Sequence, residues 1–248
     1  MKKISLLSTI IGSAFAFQSA NAQITLDEPF ETSLSGTVDT EAYILSDSGA
    51  SIGFAIYGYS GYTSEGLNDL SDAATFGSVA SSLGSDTIAF GDSGLLDDAN
   101  LGISVGNSRI GVNATGNASR LDAGEVIFLE VTSVSAGFDT YLTSVSFESF
   151  GQGADLADVL LYDASASPDS FVYTGTDLVR NDGPTISVGS GSGTLIEAGD
   201  VLAVASLGTN AFGLDTLTFT AVAVPEPATT GLILALSFTA FVAYRRRS

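Results

Sequence analysis

Aspartate clusters are the residues of this chain that are best suited to chemistry by type and spacing. Calcium prefers six to eight oxygen ligands, and carboxylates supply them. Exported protein modules bind calcium through carboxylate ligands. This chain, however, has no EF-hand calcium-binding loop motif. The sequence therefore offers tentative calcium sites and no other cofactor. The two sets are Asp155, Asp158 and Asp163, or Asp92, Asp97 and Asp98.

Paired carboxylates could also hydrolyse a glycoside, since that reaction requires only Asp or Glu side chains. Glu125 and Glu130 are the candidates, but five positions apart on a strand they face opposite sides of a sheet. Tyr57, Tyr59 and Tyr62 could stack on a sugar ring. This enzyme class is therefore the least favoured interpretation, behind a carbohydrate-binding module.

Missing residue types exclude most other mechanisms. The chain has no cysteine, histidine or tryptophan, and its only lysines are Lys2 and Lys3. It therefore lacks the groups for a Ser-His-Asp or Cys-His nucleophile, for a His or Cys zinc site, and, beyond the first residues, for a lysine Schiff base. We predict a protein that is not an enzyme and has no catalytic residues.

The charge is strongly acidic between the two ends. Residues 23–224 contain three arginines and 27 acidic residues, a net charge of −24. Such a surface repels nucleic acid and attracts cations and basic partners. It also keeps an exported protein soluble, which is the simpler interpretation.

The first 22 residues have the pattern of a secretory signal peptide. Lys2 and Lys3 precede an apolar stretch, and Ala20-Asn21-Ala22 forms an A-x-A cleavage site. The apolar stretch is shorter than a membrane span requires. We predict export and cleavage after Ala22.

An apolar run from Ala228 to Tyr244 precedes Arg245, Arg246 and Arg247. Its 17 residues would span about 26 Å as a helix, at the short end of the transmembrane range. The arginines would stay cytoplasmic by the positive-inside rule, as a membrane stop. The predicted topology is a single C-terminal transmembrane helix at the inner membrane, with the body outside the cytoplasm.

The segment 224–248 combines Val224-Pro225-Glu226-Pro227, the apolar run and the arginine cluster. It closely resembles the PEP-CTERM sorting signal of Gram-negative bacteria. The resemblance implies recognition of Pro225, Glu226 and Pro227 by an exosortase, a membrane processing enzyme. It implies release to the cell surface or extracellular matrix, where exopolysaccharide is a candidate partner. Two prolines also keep this backbone extended and accessible.

The body, 23–223, is predicted to be one all-β domain. Short alternating runs bounded by glycine and small polar residues are typical of antiparallel strands, and their number favours a jelly-roll-like β-sandwich. The predicted strands are 41–45, 51–59, 87–90, 101–105, 109–112, 125–134, 141–150, 157–162, 170–173, 185–188, 194–197, 200–205 and 212–222.

Two turns share one sequence pattern, Asp122-Ala-Gly-Glu125 and Glu197-Ala-Gly-Asp200, in which an acid opens the next strand. Glycine suits such turns because it adopts positive φ. The segment 65–83 could be a helix or an irregular loop. The glycine-rich strands also weakly resemble the β-sandwiches of many PEP-CTERM proteins, which implies fold rather than activity.

Overall fold

The computed structural model describes the strands and turns of the body and a few single positions beyond them. The described residues are 23–26, 36–38, 40–61, 82–85, 87–90, 94–99, 101–104, 109–112, 120–148, 157–163, 171–173, 184–189, 193–206, 211–224, 236, 238, 239, 242 and 245. The chain divides into two compact units. The larger unit is Ile24–Ser135 with Thr140–Ala221, and the smaller is Met1–Gln23, Ala136–Asp139 and Val222–Ser248.

The described body consists mostly of antiparallel strands, which confirms the all-β prediction. In chain order they are β1 Gln23–Leu26, β2 Gly36–Val38, β3 Thr40–Asp47, β4 Ala50–Ser60, β5 Thr87–Phe90, β6 Gly94–Ala99, β7 Leu101–Ser104, β8 Arg109–Val112, β9 Glu125–Val134, β10 Phe138–Glu148, β11 Ala157–Tyr162, β12 Phe171–Tyr173, β13 Thr185–Ser187, β14 Thr194–Ile196, β15 Val201–Ser206 and β16 Gly213–Ala223.

These strands form two eight-stranded sheets. The β16 sheet has the order β13-β10-β16-β8-β7-β2, with β1 also paired to β16 and β14 to β10. The β9 sheet has the order β12-β11-β15-β9-β4-β6-β5, with β3 also paired to β4. From β8 to β11 the chain changes sheet at every strand, so neighbours in space are distant in sequence.

Every predicted strand overlaps an observed one, and β5, β8, β9 and β11 have the predicted bounds. The sequence did not indicate β1, β2 and β6. β6 contains the adjacent acids Asp97 and Asp98, which are unfavourable for a strand by propensity. Pairing with β4 and β5 places them in a ladder nevertheless.

The central strands of the β9 sheet are buried on both faces. Residues Glu125 to Leu129 of β9 and all six residues of β15 are buried. The alternating sequence pattern predicts one buried face per strand. Both faces are buried here because an apolar cluster covers the second face as well. That cluster contains Tyr59, Leu96, Val126, Phe128, Leu160, Val201, Ala203 and Ala205.

Side chains of the two sheets contact each other inside the larger unit. The rings of Phe54 in β4 and Phe219 in β16 have centroids 5.6 Å apart. Gly58 lies where the sheets approach closely, since a Cβ there would stand 3.1 Å from Leu101 and 3.2 Å from Val112. It would also stand 2.8 Å from the carbonyl oxygen of Ala99, so only glycine fits without a shift.

The two predicted acid turns have the same geometry. The carboxylate of Glu125 accepts the Asp122 N–H at 2.7 Å, and that of Asp200 accepts the Glu197 N–H at 2.7 Å. Gly124 and Gly199 have φ of 87° and 98°, as expected of glycine in a tight turn.

The acid turns close the β9–β15 ladder at both ends. The Gly124 N–H donates to the Ser206 carbonyl at 3.2 Å, and the Gly199 N–H donates to the Val131 carbonyl at 2.8 Å. Each turn therefore opens one strand and holds the end of its neighbour, in a pseudo-twofold arrangement that pins the register.

Three predictions fall outside the described residues. They are the signal peptide, 1–22; the segment 65–83, apart from Ser82 and Leu83; and the transmembrane run 228–244, apart from Leu236, Phe238, Thr239 and Val242. Among the positions that the structure describes, no helix is long and apolar enough to cross a membrane.

Candidate functional site

Two tyrosines and a glutamate lie on one face of the β9 sheet, and we name this group the tyrosine face: Tyr57, Glu130 and Tyr162. Glu130 pairs with Ala55 of β4 and with Val201 of β15, and Val201 in turn pairs with Tyr162 of β11. Directly opposed residues share a face of a sheet. Tyr57 shares this face because it lies two residues from Ala55. Three strand spacings and a two-residue offset along the strands place the two tyrosines about 16 Å apart.

Tyr57 and Glu130 form the polar part of this face. The Tyr57 hydroxyl donates to Glu130 Oε2 at 3.4 Å, and both side chains are partly buried. Burial raises the pKa of Tyr57 above 10.0, and the charge of Glu130 and its hydrogen bond raise it further. The pair therefore presents a neutral phenol beside a carboxylate acceptor at neutral pH.

An apolar cluster lies between the two tyrosines, and Tyr57, Leu83 and Tyr162 pack against it. Tyr59 belongs to its interior, with its ring 5.6 Å from that of Phe128 in an edge-on arrangement. The Tyr59 hydroxyl donates to the Ser85 carbonyl and accepts the Gly84 N–H. Tyr59 is therefore a core residue, and Tyr62 lies outside the described residues.

The groups of the tyrosine face suit contact with a polar ligand, and the face does not bring the candidate pair Glu125 and Glu130 together. Its aromatic edges offer apolar contact, and the Glu130 carboxylate accepts hydrogen bonds from hydroxyl groups. Glu125 is 1% exposed, and the turn before β9 engages its carboxylate. The structure therefore separates Glu125 from Glu130 in environment as well as in direction.

The first calcium set is spread along β11. Asp158 lies near the start of the strand and is 5% exposed, and Asp163 follows its last residue. Five residues of strand span about 16 Å, too far for both carboxylates to ligate one ion at about 2.4 Å. Asp155 lies outside the described residues.

The second calcium set lies partly on β6. Asp97 pairs with Thr87 and Ser60, and Asp98 pairs with Tyr59, whereas Asp92 is outside the described residues. Within the portion of the chain that the structure describes, no group of three acidic side chains could hold a metal ion. Calcium binding stays a prediction, and in the first set Asp158 and Asp163 could not share one ion.

The predicted sorting residues Pro225, Glu226 and Pro227 lie outside the described residues, as do Ala20, Ala22, Arg246 and Arg247. Arg245 is exposed. The structure does describe the residues that directly precede the motif, which belong to the smaller unit. β16 ends at Ala223, and the Val224 N–H donates to the Gly137 carbonyl at 2.8 Å.

Sequence reasoning missed Tyr162, although the strand around it was predicted with the correct bounds. Its signal was weak, because a short apolar run does not show which residue reaches the rim of a cluster. No protein-family model, curated protein or solved structure matches this chain.

Proposed function

We propose that this chain is an exported, non-enzymatic protein of the cell surface or extracellular matrix, sorted and processed through residues 224–248. The supporting features are the A-x-A site at Ala20 and Ala22, the Pro-Glu-Pro motif, the apolar run and the arginine cluster. An exosortase-type membrane enzyme is the proposed partner, with an inner-membrane anchor before processing.

One structural observation supports this proposal above the others: the last strand that the structure describes, β16, ends at Ala223, two residues before the motif's first proline. Val224 makes a backbone hydrogen bond to Gly137 and is 43% exposed, and Pro225 follows it directly. A proline at this point offers no N–H for a further strand and favours an extended preceding residue. Cleavage beyond Val224 would therefore leave all of the described strands, β1 to β16, intact.

We further propose that the body is a β-sandwich of jelly-roll type. The order β8-β16-β10-β13 in one sheet and β9-β15-β11-β12 in the other supports it, because a jelly roll interleaves its strands between two sheets in this way. The Phe54–Phe219 contact and the close approach at Gly58 support face-to-face packing. Such a body would bind ligands or partner proteins rather than catalyse a reaction.

Replacing Pro225, Glu226 and Pro227 together with alanine tests the sorting proposal. We expect the protein to stay uncut in the inner membrane of a host that encodes the processing enzyme, because the enzyme would lose its extended recognition segment. Fractionation and mass spectrometry of the C-terminus would measure this. Pro184→Ala is the matched control, since it removes an exposed proline from the body. Unchanged processing of the triple variant would refute the proposal.

A secreted carbohydrate-binding module is the alternative, and the tyrosine face favours it. Tyr57 and Tyr162 are partly buried rather than fully buried, and Glu130 lies between them as an acceptor. We expect Tyr57→Ala to weaken any glycan binding on an array, with Tyr141→Ala as the control on the other sheet. The array is read with and without calcium. An absence of glycan binding by the unmodified protein would reject this alternative.

A further inference from the structure

The strand β3 lies at an edge of the β9 sheet. Its eight residues pair with β4, from Thr40↔Tyr57 to Asp47↔Ala50, and among the described strands it pairs with no other. A two-residue turn joins the strands, with Ser48 at φ 48° and Gly49 at φ 91°. Positive φ at both central residues defines a type I′ hairpin, which fixes the register of the ladder.

The hairpin geometry decides which backbone groups of β3 point outward. In a two-residue hairpin the closing pair, here Asp47 and Ala50, is hydrogen-bonded, and bonded and unbonded pairs then alternate. The N–H and C=O of Ala42, Ile44 and Ser46 therefore point away from β4. Ser51 confirms this alternation, since its N–H and C=O both bond to Ser135 on the opposite side of β4 from Ser46.

The outward-pointing residues of β3 also have exposed side chains. Ala42, Ile44 and Ser46 are exposed, and Ile44 is 67% exposed despite its size. Proteins usually protect an edge strand with proline, lysine or a β-bulge. β3 contains no proline or lysine, and its pairing with β4 runs without a register shift. The edge is therefore able to accept another strand.

The surroundings of this edge favour a basic partner. A recess of about 420 Å³ at the hairpin tip is lined by residues Ser46 to Ser51, and it includes the exposed side chain of Asp47. Asp47 Oδ1 accepts the Ser48 hydroxyl at 3.0 Å and keeps a second carboxylate oxygen for a cation. Pairing of two β3 strands would instead bring together two bodies of charge −24.

We propose that the edge of β3 left unpaired by the described strands docks an extended, basic segment of another protein by strand addition. The incoming backbone would bond to Ala42, Ile44 and Ser46. A lysine or arginine near its end would enter the recess beside Asp47. Main-chain hydrogen bonds supply affinity in such a complex, and the charged contact supplies selectivity.

Binding of a fluorescein-labelled peptide to the purified full chain tests this proposal. The probe alternates valine and threonine and carries a lysine near each end, and the control peptide carries glutamate in place of lysine. We expect the lysine peptide to bind and the glutamate peptide not to bind. Added salt should weaken the binding of the lysine peptide. Ile44→Pro should lower its affinity about tenfold or more, because proline removes an outward N–H while leaving the β3–β4 bonds.

Ile44→Thr is the matched variant, since it keeps the N–H and a β-branched side chain, and it should bind within about threefold of the unmodified protein. Asp47→Asn should reduce the salt dependence. Equal binding by Ile44→Pro, or no binding by the unmodified chain, would overturn the proposal. A dimer in sedimentation that Ile44→Pro abolishes would overturn the choice of partner.

Hydrogen exchange provides a second measurement that does not depend on a folded proline variant. On addition of the lysine peptide to the unmodified chain, the amides of Ala42, Ile44 and Ser46 should gain protection, whereas those of Tyr43 and Leu45 should change little. Protection of both sets alike, or of neither, would contradict strand addition.

Discussion

Tyr57 shows how one residue of the face responds to its neighbours. Its hydroxyl is held between a partly buried surface and the Glu130 carboxylate, and both favour the neutral phenol. Two causes raise the pKa of Tyr57: its burial and the neighbouring Glu130. The hydroxyl therefore remains a hydrogen-bond donor at neutral pH.

The shift predicts a loss of stability at alkaline pH. Because the folded-state pKa of Tyr57 is raised above 10.0, its contribution to the free energy of unfolding is fully present below pH 10 and is lost as the pH rises through the folded-state value. Tyr57→Phe should show a smaller fall in urea midpoint from neutral pH to beyond pH 10. Tyr141→Phe is the control. Identical pH profiles for Tyr57→Phe and the unmodified protein would contradict this assignment.

At the scale of elements, the acid turns fix how β9 and β15 pair. Each turn places a 1% exposed carboxylate, Glu125 or Asp200, on the N–H three residues earlier. A one-residue slip of either strand would break the bonds that join the turns to the neighbouring strand, from Gly124 to Ser206 and from Gly199 to Val131, and would invert the side chains of a central strand. The turns therefore contribute to specificity as well as to stability.

Removing one acid should destabilise the body measurably. Glu125→Ala leaves the Asp122 N–H without its charged acceptor, and we expect the free energy of unfolding to fall by about 1–3 kcal/mol. Asp200→Ala should act in the same direction. Chemical denaturation measures both, and Glu197→Ala, at an exposed acid of the second turn, should stay within about 0.5 kcal/mol of the unmodified protein. A Glu125→Ala midpoint equal to that of the control would show that the bond adds nothing.

The sequence predicted elements better than their arrangement. Alternation and glycine punctuation located the main strands, and the repeated Ala-Gly-acid pattern located both acid turns. The strand order, the second apolar cluster and the burial of Tyr59 could not be predicted, because they depend on pairings between distant segments. The position of β3 at a sheet edge could not be predicted either, because β3 has no proline or lysine of the kind that usually marks an edge strand.

At the scale of the whole molecule, charge is the dominant property. With 27 acidic residues and three arginines in residues 23–224, copies of the body repel one another at low ionic strength. That repulsion protects the exposed edge at β3 from self-association, a role that lysine or proline has in many other sheets. It also selects for partners of opposite charge, consistent with the docking proposal.

The strand order has a consequence for folding rate and for tolerance to insertion. The Tyr57–Glu130 bond joins residues 73 positions apart, and the Ser51–Ser135 bond joins residues 84 positions apart. Such pairings form slowly because long loops must close first. Yet doubling a flexible loop adds only about 0.6 kcal/mol to the cost of closing it. We expect a protein that folds slowly but accepts lengthened connections, so its surface loops can change while its two sheets stay the same.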